Sequence, residues 1–194
     1  MHPRLAIIVL WCGWALSWLV AAAWSNRTEK SVGLRSEVSY RVVLLLGAVL
    51  LAVPAHGYEG ILRLWHVSWL SAWMCVAFVA AGLGFCWWAR LHLGRLWSGH
   101  ITKKSEHHIV DTGPYRIVRH PIYTGILIAT LATMFAKGTV LGVLGASLIV
   151  LGLWMKARLE ERWLRQEVGA EAYAAYSRRV PMLVPFAPAS KEAP

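Results

Sequence analysis

Ile122–Met155 reads IYTGILIATLATMFAKGTVLGVLGASLIVLGLWM, two apolar runs interrupted only by Lys137-Gly138. Ile122–Ala136 and Thr139–Met155 are too long for buried strands, and a glycine after a lysine is a helix-ending signal. The spacing therefore predicts two antiparallel helices joined by a tight turn, a helical hairpin. Working outward, Leu5–Trp24 supplies twenty residues without a charge, Leu64–Ala89 twenty-six, and Val42–Ala55 a shorter run. A bilayer-spanning helix needs ~20 predominantly apolar residues, so the first and third runs qualify outright. The other three reach across with tilt or local thinning of the bilayer.

Composition agrees with that count. The chain of 194 residues is 57% hydrophobic and only 15% charged, and it carries twelve tryptophans that gather near segment ends. Its mean hydropathy is +0.49. Indoles favour the bilayer interface, and a soluble globular domain is excluded on these grounds. The fold class expected is an all-α integral membrane protein with about five transmembrane helices, the last two a tight helical hairpin, and a cytosolic cofactor pocket. Three parts follow: residues 1–89 as three N-terminal helices with connectors, 90–186 as the functional core, and 187–194 as a loose tail.

The net charge of +10 is explained by topology. Five spans leave six water-exposed segments; the odd-numbered ones hold three Lys or Arg and the even-numbered ones seventeen. This positive-inside bias places the N-terminus outside and the C-terminus in the cytoplasm, in an inner or cell membrane. Nucleic acid is not an expected partner, since the basic residues form no compact run and no reading motif accompanies them. Leu5–Trp24 is expected to be retained rather than cleaved, being long, rich in tryptophan and weakly basic at its start. Cys12, Cys75 and Cys86 all lie inside apolar runs and show no CxxC spacing, which reads as small hydrophobes rather than as disulfides or ligands.

The chemistry concentrates in His107–Gly125, HHIVDTGPYRIVRHPIYTG. Pro121 suits the first turn of a helix, whose positive end favours an anion. Arg119 stands just before it with a bidentate fork, and His120 and Tyr123 flank the same spot. Interfacial anchoring is the competing reading, because Arg, His and Tyr all sit comfortably among headgroups. Gly113-Pro114-Tyr115 is a turn that brings the chain back to the membrane, with Tyr115 placed to stack or pack. His107 and His108 precede Ile109-Val110, a backbone able to meet an adenine edge. A zinc site from His100, His107, His108 and His120 matches no standard spacing, and no metal is expected. A second polar group, Lys156, Arg158, Glu160 and Glu161, follows the fifth run. The hairpin makes its two cytosolic ends neighbours, so both groups converge at one membrane surface, as the parts of a site do.

The pattern His107–Val110, Gly113-x-Tyr115 and Arg119-His120-Pro121-x-Tyr123-x-Gly125 resembles the isoprenylcysteine carboxyl methyltransferase family, itself similar in part to phospholipid methyltransferases. The Glu160-Glu161 pair, Leu164, Gly169, Tyr173, Tyr176 and Arg179-Val180-Pro181 extend the likeness, as do Arg90 and Leu93-Gly94 before the patch; together they cover residues 88–186. The resemblance implies a membrane methyltransferase using S-adenosylmethionine, with a lipophilic small molecule or prenylated substrate as acceptor and membrane lipid around it. It implies that His107, His108, Ile109, Val110, Gly113, Tyr115, His120, Pro121, Tyr123 and Glu160 hold the cofactor. The family's acceptor-facing arginine falls at Lys156, with Arg158 close by, and the interval from Gly169 to Tyr173 is one residue longer than the family's. Lys156, Arg158, Glu161 and Arg119 are the catalytic candidates. Two other readings stay open: a methyltransferase acting on a lipid amine or hydroxyl, and a non-catalytic ligand-binding membrane subunit.

Overall fold

Local sequence dictates where each helix starts and stops. The computed structural model describes residues 1–22, 30–31, 34–54, 62–94, 102–103 and 110–188. Its helices are α1 (Pro3–Ala22), α2 (Leu34–Ala52), α3 (Trp69–Leu93), α4 (Pro121–Lys137), α5 (Val140–Val168) and α6 (Ala170–Arg179). Ser68 caps α3 by accepting from Ser71 N, and Thr139 caps α5 by accepting from Gly142 N. Each side chain satisfies a backbone donor that the first turn leaves without a partner. Between α4 and α5, Gly138 adopts φ 61, the left-handed conformation that glycine takes without a Cβ penalty. A Cβ there would also lie 2.3 Å from the Trp65 carbonyl oxygen, so the turn admits glycine alone.

The helices pack in close pairs. At the α3–α4 crossing, a Cβ on Gly125 would sit 2.4 Å from the Gly82 carbonyl oxygen and 2.6 Å from the Cys86 sulfur. At the α2–α5 crossing, a Cβ on Gly145 would meet Leu51 N at 2.6 Å and the Gly47 carbonyl oxygen at 2.8 Å. Small residues of this kind let helix backbones approach where lipid provides no hydrophobic drive to association. Leu51, Tyr123, Ile149, Leu153 and Ala157 form one buried cluster, and Ile7, Val79, Leu83 and Ala129 form another. Outside these, long apolar side chains such as Leu19, Leu45, Leu70 and Phe78 are exposed along the helices, as lipid-facing surfaces require.

Among the described residues, three helices are long and apolar enough to cross a membrane: Pro3–Ala21, Trp69–Leu93 and Val140–Gln166. α4 is apolar but has 17 residues, about 25 Å at 1.5 Å per residue. α2 carries Arg35, Glu37 and Arg41 in its first turns, so the second apolar run and the polar residues from Leu34 before it are one helix, ending at Ala52. α5 and α6 are separated at Gly169, where φ is 103. The otherwise helical architecture also includes a two-residue antiparallel pair, Lys30–Ser31 with Thr102–Lys103.

Candidate active site

α4 begins where the chain turns out of the Gly113–Arg116 helical turn and into Pro121. Two donors just ahead of α4 are taken by the chain's own C-terminal segment: Arg119 N donates to the Pro181 carbonyl at 2.9 Å and His120 N to the Met182 carbonyl at 3.1 Å. Thr124 Oγ1 donates to the Leu183 carbonyl at 2.6 Å. Residues 181–183 thus lie as a strap across the entrance of α4.

The side chains behind the strap form a continuous network. Arg119 Nε donates to Glu161 Oε1 at 2.7 Å, and its Nη1 donates to the carbonyls of Ser177 (3.0 Å) and Val180 (2.6 Å). Its guanidinium is turned into the protein and clamps α4, α5 and the end of α6 together. His120 lies between two carboxylates, with Nδ1 3.4 Å from Glu160 Oε2 and Nε2 3.3 Å from Glu161 Oε1. Its ring stacks on Tyr123, with centroids 5.3 Å apart and planes 7° from parallel. Tyr123 OH donates to Glu160 Oε1 at 2.6 Å. Burial alone would push the His120 imidazole down in pKa, but its hydrogen bonds and attraction to Glu160 and Glu161 outweigh it and hold the group above its ordinary value. The two glutamates are not equivalent: the Glu160 side chain is 20% exposed and the Glu161 side chain 3%. Glu160 is thus the more exposed of the two carboxylates.

Lys156, one turn before Glu160, points its ammonium over two aromatic faces, 5.3 Å from the Tyr123 centroid and 5.7 Å from that of Tyr40. Desolvated cation–π contacts of this kind hold a charge in place. Arg158, two residues on and so about 200° around the helix, is exposed on the other side of α5. The two cations therefore lie on different sides of α5, Lys156 on the side of Tyr123.

Tyr115 joins from the helical turn. It is buried, its carbonyl accepts from Tyr176 OH at 2.7 Å, and its ring stacks with His92 at 6.3 Å. Burial pushes the Tyr115, Tyr173 and Tyr176 phenols up in pKa, so all three are neutral donors. Gly113 takes φ 55 beneath the His92 imidazole, where a Cβ would lie 2.6 Å from the ring. Val110 is half-buried at the edge of the described residues, and His107, His108 and Ile109 lie outside them. Among the described residues no group of three or more His, Cys, Asp or Glu could hold a metal ion.

Tyr40, with the buried Glu37 and its ion pair to Arg41, is the contribution that sequence reasoning missed. The signal was available: Glu37, Tyr40 and Arg41 stand at i, i+3 and i+4, on one face of a helix running into the second apolar run. Glu160 offers the cluster's more exposed carboxylate to a cationic group, while the Tyr123 ring is stacked by His120 and, like the Tyr40 ring, covered by the Lys156 ammonium.

Residues 74–166 match the model of the isoprenylcysteine carboxyl methyltransferase (ICMT) family. The chain is 26% identical over 157 residues to protein-S-isoprenylcysteine O-methyltransferase B of Arabidopsis thaliana, covering 76% of this chain and 74% of that protein. It is 44% identical over 73 residues to methanethiol S-methyltransferase of a Pseudomonas species, covering 37% of this chain and 26% of that protein. A protein-S-isoprenylcysteine O-methyltransferase of Schizosaccharomyces pombe is 30% identical over 103 residues, 52% of this chain and 43% of that protein. Apart from the Arabidopsis alignment, these matches span well under two thirds of the relatives' own length.

Proposed function

We propose that this chain, whose residues 74–166 match the isoprenylcysteine carboxyl methyltransferase family model, is a membrane methyltransferase of that family and methylates a lipophilic acid at the membrane surface, using S-adenosylmethionine. The acceptor best supported is the carboxylate of a prenylated cysteine or a similar isoprenoid-linked acid. The observation that carries the reading is the convergence of Glu160, His120, Tyr123 and Lys156 at the paired ends of α4 and α5. In the proposed topology five helices cross the bilayer, α2 and α4 among them. The N-terminus lies outside, and the site opens to the cytoplasm, where the Lys and Arg excess lies.

When bound, S-adenosylmethionine supplies an electrophilic methyl group on a sulfonium. Glu160 would bind its ammonium, with Tyr123 held beside it by the hydrogen bond to Glu160 and the stack on His120. His120 and Pro121 shape the floor, with Tyr115 and the segment His107–Val110 assigned to the adenosine side. Glu161 and Arg119 serve as the clamp that fixes His120. Methyl transfer is an in-line displacement, so holding the two reactants aligned is the greater part of the work. A carboxylate acceptor is already ionised at neutral pH and needs no general base. Lys156 attracts it with a point charge, without the paired donors of an arginine.

The same geometry accommodates a thiol acceptor, a second reading favoured by the 44% identity to a methanethiol S-methyltransferase and by lysine at position 156. A thiol, unlike a carboxylate, needs to lose its proton for the transfer. Radiolabelled methyl transfer by the full chain in vesicles, offered farnesyl-cysteine, a small alkyl thiol and a lipid amine in parallel, separates the readings. Incorporation as a base-labile ester supports the carboxylate acceptor. Incorporation into a volatile thioether replaces it with the thiol, and incorporation into the lipid amine or none at all contradicts both.

A further inference from the structure

The strap that crosses the entrance of α4 does not end there. Beyond Leu183 the chain turns through Val184-Pro185-Phe186, and Val184 and Phe186 are 61% and 98% exposed. Among the described residues Phe186 is the non-glycine residue with positive φ, at 63, a conformation that bulky side chains avoid unless their surroundings require it. An apolar tip this prominent, held in a disfavoured backbone geometry, is out of place in water.

Its depth is fixed by its neighbours. The Leu183 carbonyl accepts from Thr124 Oγ1, one turn inside α4, and Met182 and Leu183 pack against the cluster containing Tyr123 and Leu153. The tip therefore starts level with the first turn of a helix proposed to lie in the membrane. Its backbone suits that depth. Pro185 has no N–H, and Ala187 N donates to the Val184 carbonyl at 3.2 Å, so the turn closes on itself. Non-polar surroundings demand such internal satisfaction of polar groups. Arg178 and Arg179 are exposed at the end of α6, Arg179 pairing with Asp111 at 3.3 Å.

We infer that Val184-Pro185-Phe186 is a membrane-dipping tip whose partner is the bilayer itself, pinning the C-terminal strap over the site from the lipid side. This rests on the reading of α4 as membrane-embedded, so the test reports on α4 separately. The full chain is reconstituted in phosphatidylcholine–phosphatidylglycerol vesicles without acceptor. It carries Cys12→Ala, because Cys12 is exposed while Cys75 and Cys86 are buried. A nitroxide is attached at Phe186→Cys, at Val184→Cys, or at the mid-α4 control Leu131→Cys, which is exposed on the helix surface. Power-saturation spectroscopy then compares collisions with oxygen and with a water-soluble nickel chelate. Oxygen collisions exceeding nickel collisions several-fold at 184 and 186, as at 131, support the tip. Nickel-dominated collisions at 184 and 186 with oxygen dominance at 131 overturn it. Nickel dominance at all three removes the membrane placement of α4 and the inference with it.

Discussion

Replacing Arg119 with alanine removes a guanidinium whose side chain is 1% exposed and which bonds Glu161 and the carbonyls of Ser177 and Val180. Breaking a buried ion pair from one side costs about 3–5 kcal/mol, because the remaining charge stays buried. Glu161 retains His120 Nε2 at 3.3 Å as a partner, which moves the expectation to the lower end, about 3 kcal/mol. For a chain of this size each kcal/mol shifts Tm by roughly 2–4 °C, so the variant should melt roughly 6–12 °C lower. Thermal unfolding of the detergent-purified protein, followed by intrinsic tryptophan fluorescence, measures it. The account also predicts non-additivity: Arg119→Ala with Glu161→Ala should cost clearly less than the two single changes together, since the double variant buries no orphaned carboxylate. A single variant melting within about 1 °C of the parent, or strict additivity, would refute the clamp.

Three further outcomes follow from the same coordinates. Lys156→Ala should raise KM for an anionic acceptor roughly tenfold, the scale of one charge-assisted contact, while leaving S-adenosylmethionine affinity unchanged; steady-state kinetics with each substrate varied checks this. His120 gains carboxylate partners on folding and has a raised pKa, so its contribution is fully present below the unfolded value near 6.5 and is lost as pH rises through the folded value. The Tm difference between the parent and His120→Gln should therefore shrink as pH rises above about 6.5, and a difference that grows would contradict the two-carboxylate setting. Gly113→Ala places a Cβ 2.6 Å from the His92 ring at φ 55. It should cost about 1–2 kcal/mol from backbone strain alone, only partly relieved by His92→Ala, as read by paired melting curves.

Much of the architecture was legible because membrane helices write themselves in long apolar runs, and Gly138 marks the turn between α4 and α5 by its conformation. The meeting of Arg119, His120 and Tyr123 with Glu160 and Glu161 follows from that turn, since it returns α5 beside α4. Burial direction was not legible. Arg119 and Arg158 are equally polar in sequence, yet one is enclosed by Glu161 and two carbonyls while the other is exposed. Nor was the share of α2 visible, because its Glu37, Tyr40 and Arg41 read as connector when hydropathy alone sets the boundary. The strap of Pro181–Leu183 was unreadable for a different reason: its bonds to Arg119, His120 and Thr124 run between backbone groups far apart in sequence, which no residue type announces.

The central claim is that Glu160, braced by Tyr123 and His120, forms part of a site for S-adenosylmethionine. Its most direct test is calorimetric titration of that cofactor into the detergent-purified chain and into Glu160→Gln, with melting curves confirming that both are folded. Loss of one charge-assisted hydrogen bond, about 1.5–3 kcal/mol, corresponds to binding weakened by roughly ten- to a hundredfold or more. Micromolar affinity in the parent, weakened by that factor in the variant, is the predicted result. No binding by the folded parent, or equal affinity in both proteins, would contradict the account.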